Sequence, residues 1–176
     1  MNAGKAGAMT VVQPGEAPLL ETAAPIGVVC RGSWTEGHVC VMEQVVPSGS
    51  LSAAHTHTAE TQGAYVIEGE ITFWTEGEQS TVGVGGFVLR PAGSLHSVWN
   101  SSGRPAQLIE ITSPGENFEA FFSEFDGMLR RGETDPKDIA AMASRYGTEF
   151  DMKLTQELCQ ANGVSTEGSG YAPKKK

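Results

Sequence analysis

Apolar and polar positions along the first two thirds of this chain follow a short period and then change to a longer one. Two runs, Ile26 to Cys30 and His38 to Val46, are rich in β-branched residues and bounded by Gly and Pro, which predicts strands. Pro47 to Ser50 is a turn, and an extended stretch from Leu51 to His57 follows it. Gln62 to Glu68 predicts a strand that closes on Gly69 and Glu70. Ile71 to Thr75 pairs back as a hairpin arm, with its turn at Glu76 to Glu78, and Ser80 to Val84 continues outward. Phe87 to Arg90, His96 to Asn100 and Gln107 to Thr112 complete a set of short strands at near-regular spacing. Such a set predicts a mainly β protein built as a barrel or sandwich.

After Thr112 the apolar spacing becomes helical. Ser113-Pro114-Gly115-Glu116 reads as the start signal: Ser as cap, Pro at the first helical position, and Glu three residues after Ser completing a capping box. Phe118, Phe121, Phe122, Phe125 and Met128 fall on one stripe, with Glu119, Ser123 and Glu124 outside it. This predicts a core-packing face on a lid helix docked on the outside of a sheet. Asp135-Pro136 begins a second helix carrying Ile139, Met142, Ala143 and Tyr146 to a stop at Gly147. A third, Thr155 to Ala161, ends at Asn162-Gly163. The chain is therefore expected to divide into a flexible N-terminal arm (1–24) with one short strand near Val11-Val12, a barrel (25–113), C-terminal helices packed on it (114–163) and a disordered tail (164–176) ending in three lysines.

Composition narrows the partners. With 176 residues, 39% of them hydrophobic, 19% charged and 22 glycines, the chain suits a turn-rich globular β domain. A formal net charge of −9 argues against nucleic acid and anionic membranes, both of which select basic patches. Lys174 to Lys176 read as a frayed, solvated end. Cys30, Cys40 and Cys159 form no Cys-x-x-Cys pair and are expected to be reduced thiols. Met1 to Thr10 has no apolar leader region and no stretch reaches membrane-spanning length, so the expected location is cytoplasmic.

The chemistry concentrates between His55 and Asn100. His55 and His57 are two positions apart on an extended segment, so both imidazoles face one side. His96 opens a later strand and supplies a third; the fourth histidine, His38, reads as structural. Gln62 is the first polar side chain on the inward parity of its strand, and its amide oxygen is a candidate fourth ligand. Three imidazoles with one oxygen donor suit a divalent first-row transition metal ion, Fe, Mn, Ni, Cu or Zn, and spacing does not choose among them. Ala64, Val66, Phe73 and Val98 share inward parity and are candidate lining for a mostly apolar substrate pocket. Glu60, of the same parity as Gln62, is a candidate catalytic base; on the alternative reading it is an ordinary solvated loop carboxylate. Glu110 and Glu43 are further candidate bases whose facing depends on register.

The spacing of these residues resembles the cupin superfamily. Its first motif, Gly-x5-His-x-His-x(3,4)-Glu-x6-Gly, is matched by Gly49, His55, His57 and Gly69, with Gln62 where Glu is usual. Its second, Gly-x5-Pro-x-Gly-x2-His-x3-Asn, is matched by Gly85, Pro91, Gly93, His96 and Asn100. The resemblance implies a jelly-roll β-barrel with a C-terminal α-helical extension, holding a metal at His55, His57, Gln62 and His96. Phe118 to Phe122 and the later Ser144-Arg-Tyr-Gly147 are similar to tails of single-domain bacterial cupins of the quercetin-dioxygenase-like group. That likeness implies a metal-dependent enzyme acting on a small aromatic or enolisable oxygenated molecule, with O2 as co-substrate if the metal is redox-active. Gln62 points instead to non-redox chemistry by a lyase, isomerase or cyclase, because a neutral ligand leaves the ion its full charge and is no base. A cupin that binds a ligand without turnover is the third possibility. Barrels of this type use N-terminal arms to pack on a partner subunit, so a homodimer is expected.

Overall fold

The computed structural model describes residues 9–170 and 172. Among these residues the chain forms strands β1 (Ile26–Cys30), β2 (Cys40–Val46), β3 (Leu51–His57), β4 (Thr61–Glu68), β5 (Glu70–Thr75), β6 (Glu78–Gly83), β7 (Phe87–Arg90), β8 (Leu95–Trp99), β9 (Ala106–Ser113) and β10 (Thr148–Phe150). The helices are α1 (Glu116–Arg131), α2 (Pro136–Arg145) and α3 (Met152–Asn162). The strands make two antiparallel sheets, ordered β1-β2-β9-β4-β7 and β10-β3-β8-β5-β6. This is the expected jelly roll with a helical extension.

Register decides what faces inward. Across the first sheet Met42 pairs with Glu110 and Glu110 with Ala64, while Gln62 pairs with both Thr112 and Arg90, so these side chains share one face. All are buried, whereas Tyr65, Leu89 and Ile111, of opposite parity, are exposed. In the second sheet His55 pairs with His96 and with Phe150, and His57 with Thr148. The barrel interior lies between these two faces. The β5–β6 hairpin turns through Glu76 (φ 50°) and Gly77 (φ 91°), the two left-handed residues of a type I′ loop.

The aromatic stripe of α1 is buried as expected, but on the other side of the sheet. Phe118, Phe121, Phe122 and Phe125 pack with Ile26, Val28, Cys40 and Met42. Ile26 and Val28 pair with Gln44 and Met42, which puts them on the inner face. The helix thus fills the opening between the sheets rather than lying outside one. The outer face of the second sheet is covered instead by α3, whose Leu158, with Val164 beyond it, packs on Leu51, Ala54 and Trp99.

Other expectations are corrected. The capping box does not form: Ser113 remains in β9, paired with Thr61, and Gly115 is the cap, with no side-chain bond. Gly115 donates to the Gly37 carbonyl at 2.7 Å and lies so close to β2 that a Cβ there would meet the Cys40 nitrogen at 2.2 Å. Val11-Val12 forms no strand and Val11 is exposed, having strand propensity without a partner to pair with. The arm is not loose throughout: Leu19 bridges Gly27, and Leu20 and Ala24 are buried. The region 114–163 contributes the strand β10 to the barrel as well as helices. Nor is the described part of the tail free, since Ser165 pairs with Ser50 and exchanges backbone bonds with Gly49 and Leu51, and the Ala172 carbonyl accepts from Ala23. Lys174 to Lys176 and the first eight residues lie outside the described residues.

Candidate metal centre

Three features bring the histidines together. A β-bulge in β3 adds one residue between Ser52, paired with Val98, and His55, paired with His96. The small Ala53 and Ala54 occupy it, and the Ala53 carbonyl turns back to His55 Nδ1 at 2.6 Å. At His96 the same arrangement comes from the Pro91–Ser94 turn, where Gly93 donates to the His57 carbonyl at 2.7 Å and the Ser94 carbonyl lies 2.9 Å from His96 Nδ1. Carbonyls accept only, so both rings carry hydrogen on Nδ1 and leave Nε2 with its lone pair. The third feature is strand β10, whose Thr148 Oγ1 lies 3.1 Å from His57 Nδ1.

One ligand nitrogen from each of His55, His57 and His96 lies within 4.8 Å of the others. All three rings are buried, and His96 Nε2 has no hydrogen-bond partner among the described residues. Burial, reinforced by the Arg90 charge, drives the imidazoles toward their neutral, ligating form: His55 falls to about 4 and His57 to about 2, and His96 is lowered as well. Gln62 is buried on the facing sheet with Nε2 3.2 Å from His57 Nε2, while its Oε1 has no hydrogen-bond partner among the described residues. Neutral converging imidazoles and an unsatisfied amide oxygen fit a divalent first-row cation.

Glu60 is not a solvated loop carboxylate. It is 2% exposed, and burial raises its pKa against the opposing hydrogen bonds of backbone amides and Asn117. Its Oε2 lies 3.9 Å from His57 Nδ1, behind the ring rather than on the side of Nε2. Glu43 is exposed on the outer face, whereas Glu110 points inward and pairs with Arg90. Ala64, Val66, Phe73 and Val98 do line the interior, but they pack with Ile71 and Leu108 into a closed cluster, with the Arg90 guanidinium 5.7 Å from the Phe73 ring centre. An apolar cavity of about 390 Å³ opens elsewhere, between α2, β10 and the C-terminal segment. Phe150 lines it, and the same ring is 5.9 Å from that of His55.

Sequence reasoning missed Arg90, Phe118 and Thr148. Arg90 had a signal, a charge at the end of a β-run on the parity that register makes inward. Phe118 was assigned to the core stripe, and its ring also reaches to 5.8 Å from His57. Thr148 had no signal, because a three-residue strand between two helices is too short for period two to register.

Fold and site together define a jelly-roll barrel with a three-histidine centre inside it. Residues 41–112 match the family described as the cupin domain, and the chain resembles the quercetin-dioxygenase-like cupins. It is 29% identical over 113 residues to quercetin 2,3-dioxygenase of Bacillus subtilis (strain 168), an alignment covering 64% of this chain and 33% of that enzyme. The match therefore spans about a third of the relative's length. Among solved structures, a predicted oxalate decarboxylase from Thermotoga maritima superposes with a TM-score of 0.55 at 17% identity, over 59% of this chain and 98% of that one. A polyketide cyclase from Streptomyces resistomycificus does so with a TM-score of 0.53 at 17% identity, over 61% and 80%. At such identities the two structures speak for the fold alone.

Proposed function

We propose that this protein is a metal-dependent enzyme of the quercetin-dioxygenase-like cupin group, acting on a small aromatic or enolisable oxygenated metabolite. The observation that carries this reading is the set of buried imidazoles whose Nδ1 hydrogens are tied down, so that the Nε2 lone pairs converge. His55, His57 and His96 would hold the ion, with Gln62 as the fourth ligand. When bound, a divalent ion supplies Lewis acidity toward an enolate or phenolate oxygen and, if redox-active, chemistry with O2. The chain's own contribution is to keep three imidazoles neutral and exclude bulk water with Phe118 and Phe150, while Ala64, Val66, Phe73 and Val98 close the apolar interior beyond the Arg90–Glu110 pair. Glu60 stays a candidate base, its buried carboxylate 3.9 Å from Nδ1 of the His57 ring.

A non-redox reading, as a lyase, isomerase or cyclase, is favoured by one observation: a neutral amide, not a carboxylate, faces the His57 ligand nitrogen. Metal analysis of the purified protein followed by O2 consumption with phenolic and diketone substrates tests both. Metal together with O2 uptake supports the first reading, and metal with turnover but no O2 uptake supports the second. Unchanged metal stoichiometry in His55→Ala, His57→Ala and His96→Ala would sink both.

We also propose a homodimer and a reducing, cytoplasmic location. The three thiols are free, which suits such a compartment. Support for the dimer comes less from the arm, whose described end packs on its own barrel, than from the outer face of the first sheet. There Tyr65, Phe87, Leu89 and Ile111 are exposed as neighbours. Light scattering that finds only the 18.6 kDa monomer at micromolar concentration would count against it.

A further inference from the structure

His55 and His96 are each held by a carbonyl two residues away in sequence, but His57 is not. Its Nδ1 faces a hydroxyl 91 residues further along the chain. The Gln62 amide lies on its other side, with Nε2 3.2 Å from His57 Nε2. A His57 that ligates through Nε2, as His55 and His96 do once their Nδ1 hydrogens bond to carbonyls, carries its ring hydrogen on Nδ1, where the Thr148 oxygen accepts it. The opposite tautomer would place the hydrogen on the nitrogen that a cation needs.

We infer that Thr148 is a positioning residue of the metal centre, supplied from outside the matched cupin region, whose hydroxyl fixes the ring orientation and tautomer of His57. The inference rests on reading the three-histidine centre as a metal site. Strand β10 is built to hold that hydroxyl still. Thr148 stands directly opposite His57 in the ladder and is 2% exposed. Backbone bonds tie the strand to β3 at both ends, from Thr58 to the Gly147 carbonyl at 2.9 Å and from Asp151 to the Ala54 carbonyl at 2.8 Å. The Glu60 carboxylate, at 3.9 Å from the same ring nitrogen, is beyond hydrogen-bond reach and acts on it only through its charge. A histidine ligand whose second nitrogen loses its acceptor binds metal more weakly, commonly by 10- to 100-fold.

The test uses the full chain stripped of metal by chelator and titrated with Zn2+ against a competing chelator. Thr148→Val is expected to lower Zn2+ affinity about 10-fold or more, and Thr148→Ser to restore it to within about threefold of the native value. Equal affinity of native and Thr148→Val proteins overturns the inference while leaving the metal site intact; a native chain that takes up no Zn2+ overturns the metal reading instead. Because the valine variant risks misfolding, long-range 1H–15N NMR of the native metal-free protein gives a second measurement. His57 with hydrogen on Nδ1 and none on Nε2 supports the assignment, and the reverse tautomer overturns it.

Discussion

Arg90 and Glu110 lie on the two strands that flank β4, and their side chains meet over it inside the barrel with Nη2 2.5 Å from Oε1. Both are almost wholly buried, and Gln62 and Ala64 lie beneath them in the ladder. The pair separates the histidine centre from the apolar cluster around Phe73, and Arg90 helps to keep the imidazoles neutral. Burial raises the pKa of Glu110, and the guanidinium opposes that rise.

Breaking such a pair is costlier than removing it, because one partner alone leaves a buried charge uncompensated. Arg90→Met is expected to destabilise the fold by about 3–5 kcal/mol, while adding Glu110→Leu recovers most of the loss. Urea unfolding of the single and double variants checks this. A double variant no more stable than the single would mean that packing of the arginine stem, not charge, is what the barrel needs.

The metal-free protein should lose stability in mild acid. An unfolded chain takes protons on His55, His57 and His96 as pH falls through 6.5, whereas the folded one keeps them neutral down to about 4 at His55 and about 2 at His57. Stability is therefore complete above pH 6.5 and falls below it, by roughly 1.4 kcal/mol per pH unit for each histidine that stays neutral. Glu60 and Glu110 have raised values and work in the opposite sense, so the slope is a net one. Urea titrations at pH 7.5 and 5.0 on chelator-treated protein measure it. The slope should flatten when the three histidines are replaced by glutamine, and an unchanged slope would place its origin elsewhere.

How much of this was legible in the sequence depended on whether the information was local. The strands carrying His55, His57, Gln62 and His96 follow from period two and from Gly and Pro at their ends, and the motif spacing singles them out as candidate ligands. Facing across the barrel was not legible, because a run such as Gln107 to Thr112 reads equally well in either register until its partners are known. Glu110 and Arg90 were uncertain or unnoticed for that reason. Glu60 misled because a carboxylate in a loop is normally solvated, and its burial comes from the helical extension packed on the barrel. The capping reading at Ser113 failed because ladder pairing with Thr61 outweighs a local helix signal.

Gly115 makes that failure testable. Its φ of −95° is open to any residue, so only space excludes a side chain there. A Cβ would meet backbone of Val39 and Cys40 at 2.4 and 2.2 Å, and backbone cannot swing away as a side chain can. Gly115→Ala is expected to push α1 off β2 and cost about 2–3 kcal/mol, as overpacking does. Thermal unfolding reads the loss. A shift no larger than a surface substitution gives would show that the junction between β9 and α1 has slack.

Gln62 separates the two functional readings. Its amide faces Nε2 of His57, and Oε1, buried without a hydrogen-bond partner among the described residues, is the atom a cation would satisfy. Replacing it by glutamate adds a negative charge at that point and restores the usual cupin residue. Metal affinity should rise, by about tenfold if the carboxylate ligates, since a charged donor binds a divalent cation more tightly than an amide. Activity is the discriminating quantity. If the native reaction depends on a strongly electrophilic centre, as in the non-redox reading, turnover should fall while affinity rises, because the carboxylate offsets part of the cation's charge. If the protein is an oxygenase that tolerates glutamine, turnover should hold or increase, since a carboxylate also restores a base. Chelator competition and steady-state kinetics on Gln62→Glu give the two numbers. No change in either would mean that Gln62 turns away from the ion, leaving three histidines as its only protein ligands.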